Sequence, residues 1–343
     1  MPKKYRVGFT LGKFAPLHRG HQLLIETALA ECERVVALVY ETKVTDVPLP
    51  VRAGWIRALY PQVEVIEGPW DGPEGHSSER AHERMHEEYC RRLLGATKVD
   101  AFYSSEFYGA HMARALGAAD RRVDEAREAV PVCATAVRAD AFAMRDHVDP
   151  LVYRDLVTKA CFMGAPSCGK TTIVEELARR LGTTCALEYG REYWAEHQRD
   201  RRLEPWELEH IARVHQQREE EAFAQARGVC FVDTCAITTY LFALDYHGAA
   251  TPELERLARE NATRYDLFFM CEDDIPYDDT WDRSGPQKRA DFHRAIKADL
   301  TARRIPYVSL RGSLKERVAK VQRVLERFDR WNNPFGRALE ALA

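Results

Sequence analysis

Nothing in this chain reads as a membrane anchor, a disulfide framework or a nucleic-acid-binding face. No apolar run in its 343 residues approaches the length of a membrane span. Met1-Pro2-Lys3-Lys4 leads straight into a strand-like run rather than a signal-peptide core. The formal net charge of -3 gives no whole-chain attraction to nucleic acid or anionic lipid. Nine cysteines are present without a C-x-x-C pair, and Cys161 and Cys230 sit inside apolar runs. An odd, unpatterned set of that kind fits reduced thiols, not a disulfide scaffold. There is no internal repeat and no low-complexity tract. These absences lead us to expect a soluble, cytoplasmic protein with neither a nucleic acid nor a membrane as partner. A homo-oligomer stays open.

What the chain does have is alternation. At this length two domains are expected. Tyr5 to Leu11, Val35 to Tyr40, Val63 to Ile66 and Val99 to Ser104 read as strands. Helices read at Gly20 to Ala30 and, in a densely charged stretch, from about Ser78 to Leu94. Strands alternating with helices imply a parallel sheet covered on both faces. The alternation lapses around Ala139 to Asp155, where Asp149-Pro150 signals a turn or boundary. A second α/β unit then starts at the strand Thr158 to Met163. Strands at Val229 to Val232, Leu267 to Met270 and Pro306 to Leu310 follow. Helices fit Lys170 to Leu181, Glu204 to Ala226, Pro252 to Asn261, Gln287 to Arg303 and Ser313 to Phe328. The expected division is residues 1–150, 151–330 and a tail of 331–343.

Gly164-Ala165-Pro166-Ser167-Cys168-Gly169-Lys170-Thr171 satisfies G-x-x-x-x-G-K-[ST], with a hydrophobic strand before it and an amphipathic helix after. Glycines let backbone N–H groups converge on phosphate oxygens, and the helix N-terminus adds partial positive charge. Lys170 is expected to reach the β- and γ-phosphates of ATP, and the Thr171 hydroxyl to ligate Mg2+. Asp233, at the end of Val229-Cys230-Phe231-Val232, is the expected carboxylate partner for that metal. Arg283 is a candidate lid arginine.

Near the start, Gly12-Lys13-Phe14-Ala15-Pro16-Leu17-His18-Arg19-Gly20-His21 places two imidazoles three residues apart at a strand-to-helix junction. With a helix beginning near Gly20, both rings and the free N–H groups of the first turn face one point. That suits charge developing on a phosphate better than a metal, since no third ligand is nearby. A second histidine pair, His82-Glu83-Arg84-Met85-His86, matches H-E-x-x-H. Its surroundings are too polar for a zinc-protease helix, and we read it as a solvated helix.

The first of these motifs resembles the ATP-binding signature of the nucleotidyltransferase superfamily, and Val132-Cys133-Ala134-Thr135-Ala136-Val137-Arg138 resembles its second signature, I-S-x-T-x-I-R. With the phosphate loop and Glu188-Tyr189-Gly190-Arg191-Glu192-Tyr193 beyond, residues 5 to 325 resemble the bifunctional nicotinamide-nucleotide adenylyltransferase/ribosylnicotinamide kinase family. Further matches are Ser104-Ser105-Glu106, Val123-Asp124, Phe231 to Thr234 with Thr238-Thr239, and Arg283-Ser284. The resemblance implies an N-terminal Rossmann-like nucleotidyltransferase domain and a C-terminal P-loop kinase domain with a parallel sheet.

It also implies roles. Gly12, Lys13, Phe14, His18 and His21 would hold the ATP of adenylyl transfer, with Thr135 and Arg138 on the departing pyrophosphate. Gly164, Ser167, Gly169, Lys170, Thr171, Thr172 and Arg283 would hold the ATP of the kinase. Glu188, Arg191 and Asp233 would face nicotinamide riboside and Mg2+. The implied small-molecule partners are ATP, nicotinamide riboside, nicotinamide mononucleotide and NAD. Departures are Cys133 in place of the signature serine, Cys235 where relatives often carry a second acid, and Thr280-Trp281 in the lid. The tryptophans of the first domain do not align, with Trp70 only a guess at the nicotinamide platform. A helix-turn-helix domain carried by some relatives is not expected. A coenzyme A synthase-like fusion is the alternative enzyme, and a non-catalytic nucleotide sensor the alternative of another class.

Overall fold

The computed structural model describes residues 2–69, 80–106, 109–200, 202–276 and 286–331. The chain forms two compact units, Met1–Tyr153 and Arg154–Ala343. Trp70, Thr280-Trp281, Arg283-Ser284 and residues 332–343 of the expected tail lie outside the described residues.

In the first unit, β1 (Tyr5–Gly12), α1 (Arg19–Glu31), β2 (Cys32–Tyr40), α2 (Leu49–Leu59), β3 (Val63–Gly68), α3 (Arg80–Leu94), β4 (Ala101–Ser104), α4 (Gly109–Leu116) and β5 (Ala119–Arg122) alternate along the chain. Short helices α5 (Ala134–Ala139) and α6 (Pro150–Leu156) follow. The strands pair in parallel in the order β3-β2-β1-β4-β5. The last six residues of β2 are all buried, as a strand covered by helices on both faces requires. Its β1 neighbour lies where the winding reverses, so the ends of β1 and β4 diverge into a crevice.

In the second unit, β6 (Thr158–Met163), α7 (Lys170–Leu181), β7 (Cys185–Ala186), α8 (Tyr189–His197), α9 (Pro205–Gln225), β8 (Val229–Asp233) and α10 (Ala236–His247) lead to α11 (Pro252–Arg264), β9 (Leu267–Cys271), α12 (Pro286–Ala302), β10 (Val308–Leu310) and α13 (Leu314–Leu325). The parallel order is β10-β9-β6-β8-β7, again with the first strand at the reversal. Helix α7 buries Ile173, Val174, Leu177 and Ala178, a spacing that puts one stripe against the sheet. It stops at Gly182, whose φ of 61° is the left-handed cap glycine tolerates without a Cβ penalty. Its apolar stripe joins Phe162, Phe231 and Phe269 in the core.

Two readings of the sequence change. Helix α3 is not simply solvated: Tyr89, Cys90 and Leu94 pack into the first core with Phe9 and Phe102, and His86 and Glu87 are buried. Six elements with weak periodicity or short length went unread: α2, α4, β5, α5, β7 and α10. Helix α10 is apolar around most of its circumference, because α9 and α11 pack on it, so it has no polar face to reveal its period.

Candidate functional site

The first constellation grows from the loop between β1 and α1. Gly12 cannot be larger without displacing the Phe14 ring, which a Cβ would meet at 3.2 Å. Gly20 is equally constrained, with the His18 imidazole 3.2 Å from the same virtual atom. Phe14 itself takes a left-handed φ of 46°, so the loop is held by its surroundings. Arg52 does much of that holding. Its buried guanidinium donates to the carbonyls of Tyr40 (3.0 Å), Val47 (3.0 Å) and Lys13. No motif marked Arg52; only its burial on α2 shows it.

His18 precedes α1 and His21 lies in its first turn, so the two rings stack at 3.7 Å, with Phe14 edge-on to His21 at 4.9 Å. The His18 backbone N–H donates to His21 Nδ1 at 3.4 Å, which leaves the His21 proton on Nε2. Burial first, then the charges of Arg127, His147 and Arg138, pull the His18 pKa down to about 4. Burial, His18 and Arg127 push His21 in the same direction. Both are therefore neutral at pH 7 and act as hydrogen-bond donors rather than fixed cations. Across the loop, Arg138 on α5 donates to the Ala15 carbonyl at 2.7 Å and to the Thr135 hydroxyl at 3.0 Å. Cys133 caps that helix, its sulfur accepting from the Ala136 N–H at 3.5 Å. The two signatures that the sequence separates by more than a hundred residues thus meet at one spot.

The second constellation surrounds Gly164 to Thr171. Gly164 has a φ of 145°, and a Cβ there would lie 2.6 Å from the Cys271 carbonyl oxygen. Gly169 enters α7 at φ 76°. Two arginines that no motif marked fasten the loop from outside. Arg289 donates to the Ser167 carbonyl at 3.3 Å and Arg317 to the Cys168 carbonyl at 2.8 Å. Because the peptide unit is trans and planar, holding those carbonyls outward aims the next N–H groups, of Cys168 and Gly169, the other way. The loop is thereby set to present amides to an anion.

Lys170 lies at the start of α7, its ammonium 3.0 Å from the Gly164 carbonyl and 3.3 Å from that of Ala165. Burial lowers its pKa, but Glu188 and Asp233 more than offset this, so it stays charged. Thr171 Oγ1 donates to Asp233 Oδ2 at 2.5 Å, and Asp233 Oδ1 is buried without a hydrogen-bond partner among the described residues. A hydroxyl and an orphaned carboxylate oxygen together are the oxygen donors a hard cation such as Mg2+ takes. Glu188 stands at the start of α8; burial raises its carboxyl pKa, with Lys170 pulling the other way.

These groups line a cavity of about 890 Å³ that also takes in Thr172, Arg191, Thr238 and Thr239. Its far wall carries aromatic rings, Trp194, Phe242, Tyr246 and Phe292. Phe242 and Phe292 stack at 4.4 Å. A charged phosphate end and an aromatic end in one cleft describe a site for a phosphorylated or phosphate-accepting ring compound.

The second unit is thus a P-loop nucleotide-binding α/β domain, and the first a doubly wound α/β domain with an anion-directed histidine loop. A family described as an AAA domain matches residues 159–317. The chain is 27% identical over 292 residues to the trifunctional NAD biosynthesis/regulator protein NadR of Escherichia coli K12, covering 80% of this chain and 71% of the relative. The same protein of Salmonella typhimurium LT2 is 26% identical over the same shares. Two solved structures share the fold: a NadR protein in complex with NAD and AMP-PNP (TM-score 0.55, 22% identity, 95% of this chain and 97% of that one). The other is a NadR protein in complex with NR (TM-score 0.54, 21% identity, 94% and 96%). The chain is a NadR-like protein. No helix among the described residues is long and apolar enough to cross a membrane.

Proposed function

We propose that this is a bifunctional NAD salvage enzyme. The second unit transfers the γ-phosphoryl group of ATP to the 5′-hydroxyl of nicotinamide riboside. The first couples the resulting mononucleotide to the AMP moiety of a second ATP, releasing pyrophosphate and giving NAD. The observation that carries this reading is the kinase cleft, where Lys170, Thr171, Asp233 and Glu188 face an aromatic wall within one cavity. The relatives described above, one holding NAD and AMP-PNP and another NR, support the substrate assignment.

Thr171 and Asp233 would hold Mg2+, which when bound neutralises phosphate oxygens. Lys170 keeps its charge for the transferring group. Glu188, its carboxyl pushed up by burial, orients the attacking hydroxyl and accepts its proton. Gly164, Ser167, Gly169 and Thr172 shape the ATP cradle, and Arg191 lines the acceptor end. Little covalent chemistry is asked of the protein beyond positioning and charge.

In the first unit the mononucleotide phosphate is itself the nucleophile. It forms a P–O bond to the α-phosphorus as the bond to pyrophosphate breaks. Gly12, Lys13 and Phe14 shape the triphosphate loop, while His18 and His21 donate to its oxygens as neutral imidazoles. Arg138, oriented by Thr135, meets the leaving pyrophosphate.

The test separates the reactions. Lys170→Ala should abolish phosphorylation of nicotinamide riboside and spare adenylyl transfer, and His18→Ala should do the reverse. Turnover of phosphopantetheine with none of nicotinamide mononucleotide would overturn the assignment in favour of a coenzyme A synthase-like fusion. Nucleotide binding with neither activity would favour a sensor.

A further inference from the structure

The H-E-x-x-H stretch of the first unit is left unexplained by either proposed reaction. On α3, His82 and His86 lie one turn apart with rings parallel to within 9° and centroids at 4.9 Å. Their Nε2 atoms face each other at 3.0 Å. Two nitrogens at about 2.1 Å from one ion, and at 90° to 110° to each other, stand roughly 3.0–3.4 Å apart. The pair therefore has the separation of adjacent ligands on a single cation.

The surroundings supply further donors. Ligand atoms of Glu83, Glu87 and His111 lie within 4.8 Å of one another beside the pair, and Glu87 is only 5% exposed. Glu87 is already engaged: it accepts from Arg80 at 3.2 Å and lies 3.3 Å from His111 Nδ1. Its part would be to fix His111, as carboxylates behind metal-bound histidines do. Glu83, on the same face and held only by Arg80 at 3.1 Å, is the carboxylate nearest to spare.

We propose that His82 and His86, completed by Glu83 or His111, bind one divalent transition-metal ion. Two imidazoles with one carboxylate or a third imidazole suit Zn2+, Co2+ or Ni2+, and not the all-oxygen preference of Mg2+ or Ca2+. The site is distinct from Thr171 and Asp233, which belong to the other unit.

The test is a titration of untagged full-length protein, stripped of metal, with Co2+ followed by its d–d absorption, and with Zn2+ followed by calorimetry. The expected result is one equivalent bound through nitrogen and oxygen, without thiolate charge-transfer bands. His82→Ala and His86→Ala should each weaken binding tenfold or more, while Lys170→Ala binds as wild type. His82 is only half-buried, so its variant should fold. Zn2+ should raise the melting temperature of the wild type and not of that variant. Absence of binding, thiolate ligation, or undiminished binding in the His82→Ala, His86→Ala double variant would show a hydrogen-bonded histidine pair and overturn the proposal.

Discussion

The Thr171 hydroxyl donates to one oxygen of Asp233 at 2.5 Å and leaves the other buried without a partner among the described residues. A buried, unpartnered carboxylate oxygen costs free energy unless something meets it, and beside a P-loop threonine a cation is the natural candidate. Asp233→Asn keeps the shape and removes the charge. We expect kinase activity to fall by roughly a hundredfold or more. Adenylyl transfer should be unchanged, and Mg2+ titration of the residual kinase activity should show a raised requirement. An unaltered rate would remove Asp233 from the metal site.

Gly164 leaves no room for change. Its φ of 145° is open to few residues besides glycine, and a Cβ would approach the Cys271 carbonyl to 2.6 Å. Gly164→Ala should destabilise the second unit by at least about 2 kcal/mol and remove ATP binding there. Chemical denaturation and nucleotide titration would read the two effects.

The loop histidines make the first unit sensitive to acid. The folded pKa of His18 is about 4 against 6.5 when unfolded, so between those values the unfolded chain binds more protons. Stability is therefore full above about pH 6.5 and is lost as pH falls toward 4. The contribution of His18 is roughly 3 kcal/mol. Melting temperatures recorded from pH 7 to pH 4 should fall less steeply for His18→Gln than for the wild type. Parallel slopes would mean that the imidazole is not held neutral by the fold.

Cys133 offers a gain rather than a loss. Its thiol caps α5 at 3.5 Å, where a serine hydroxyl would make a shorter and stronger bond. Cys133→Ser should stabilise the protein by roughly 0.5–1 kcal/mol and lower the KM for ATP in adenylyl transfer, because α5 carries Thr135 and Arg138. A KM unchanged alongside a higher melting temperature would confine the residue to helix capping.

Much of the site was legible in the residues themselves. The glycines, Lys170 and Thr171 announce a phosphate loop because only that composition lets backbone amides crowd around an anion. His18 and His21 were visible for a similar reason, being short-range neighbours on one turn. Arg52, Arg289 and Arg317 were not legible. Each acts by reaching carbonyls that are distant in sequence, and an arginine on a charged helix carries no local mark of that reach.

By itself, then, the sequence determined what recurs at short range: strand and helix alternation, the two phosphate-directed loops and the exclusion of a disulfide framework. Only the tertiary structure decided which distant residues complete those loops. It brought Arg138 to Ala15 and Asp233 to Thr171, and packed α3 so that His86 and Glu87 became buried. The reason is physical. Local motifs follow from backbone geometry within a few residues, whereas the partners of a carboxylate or a guanidinium are set by how the sheet orders its strands.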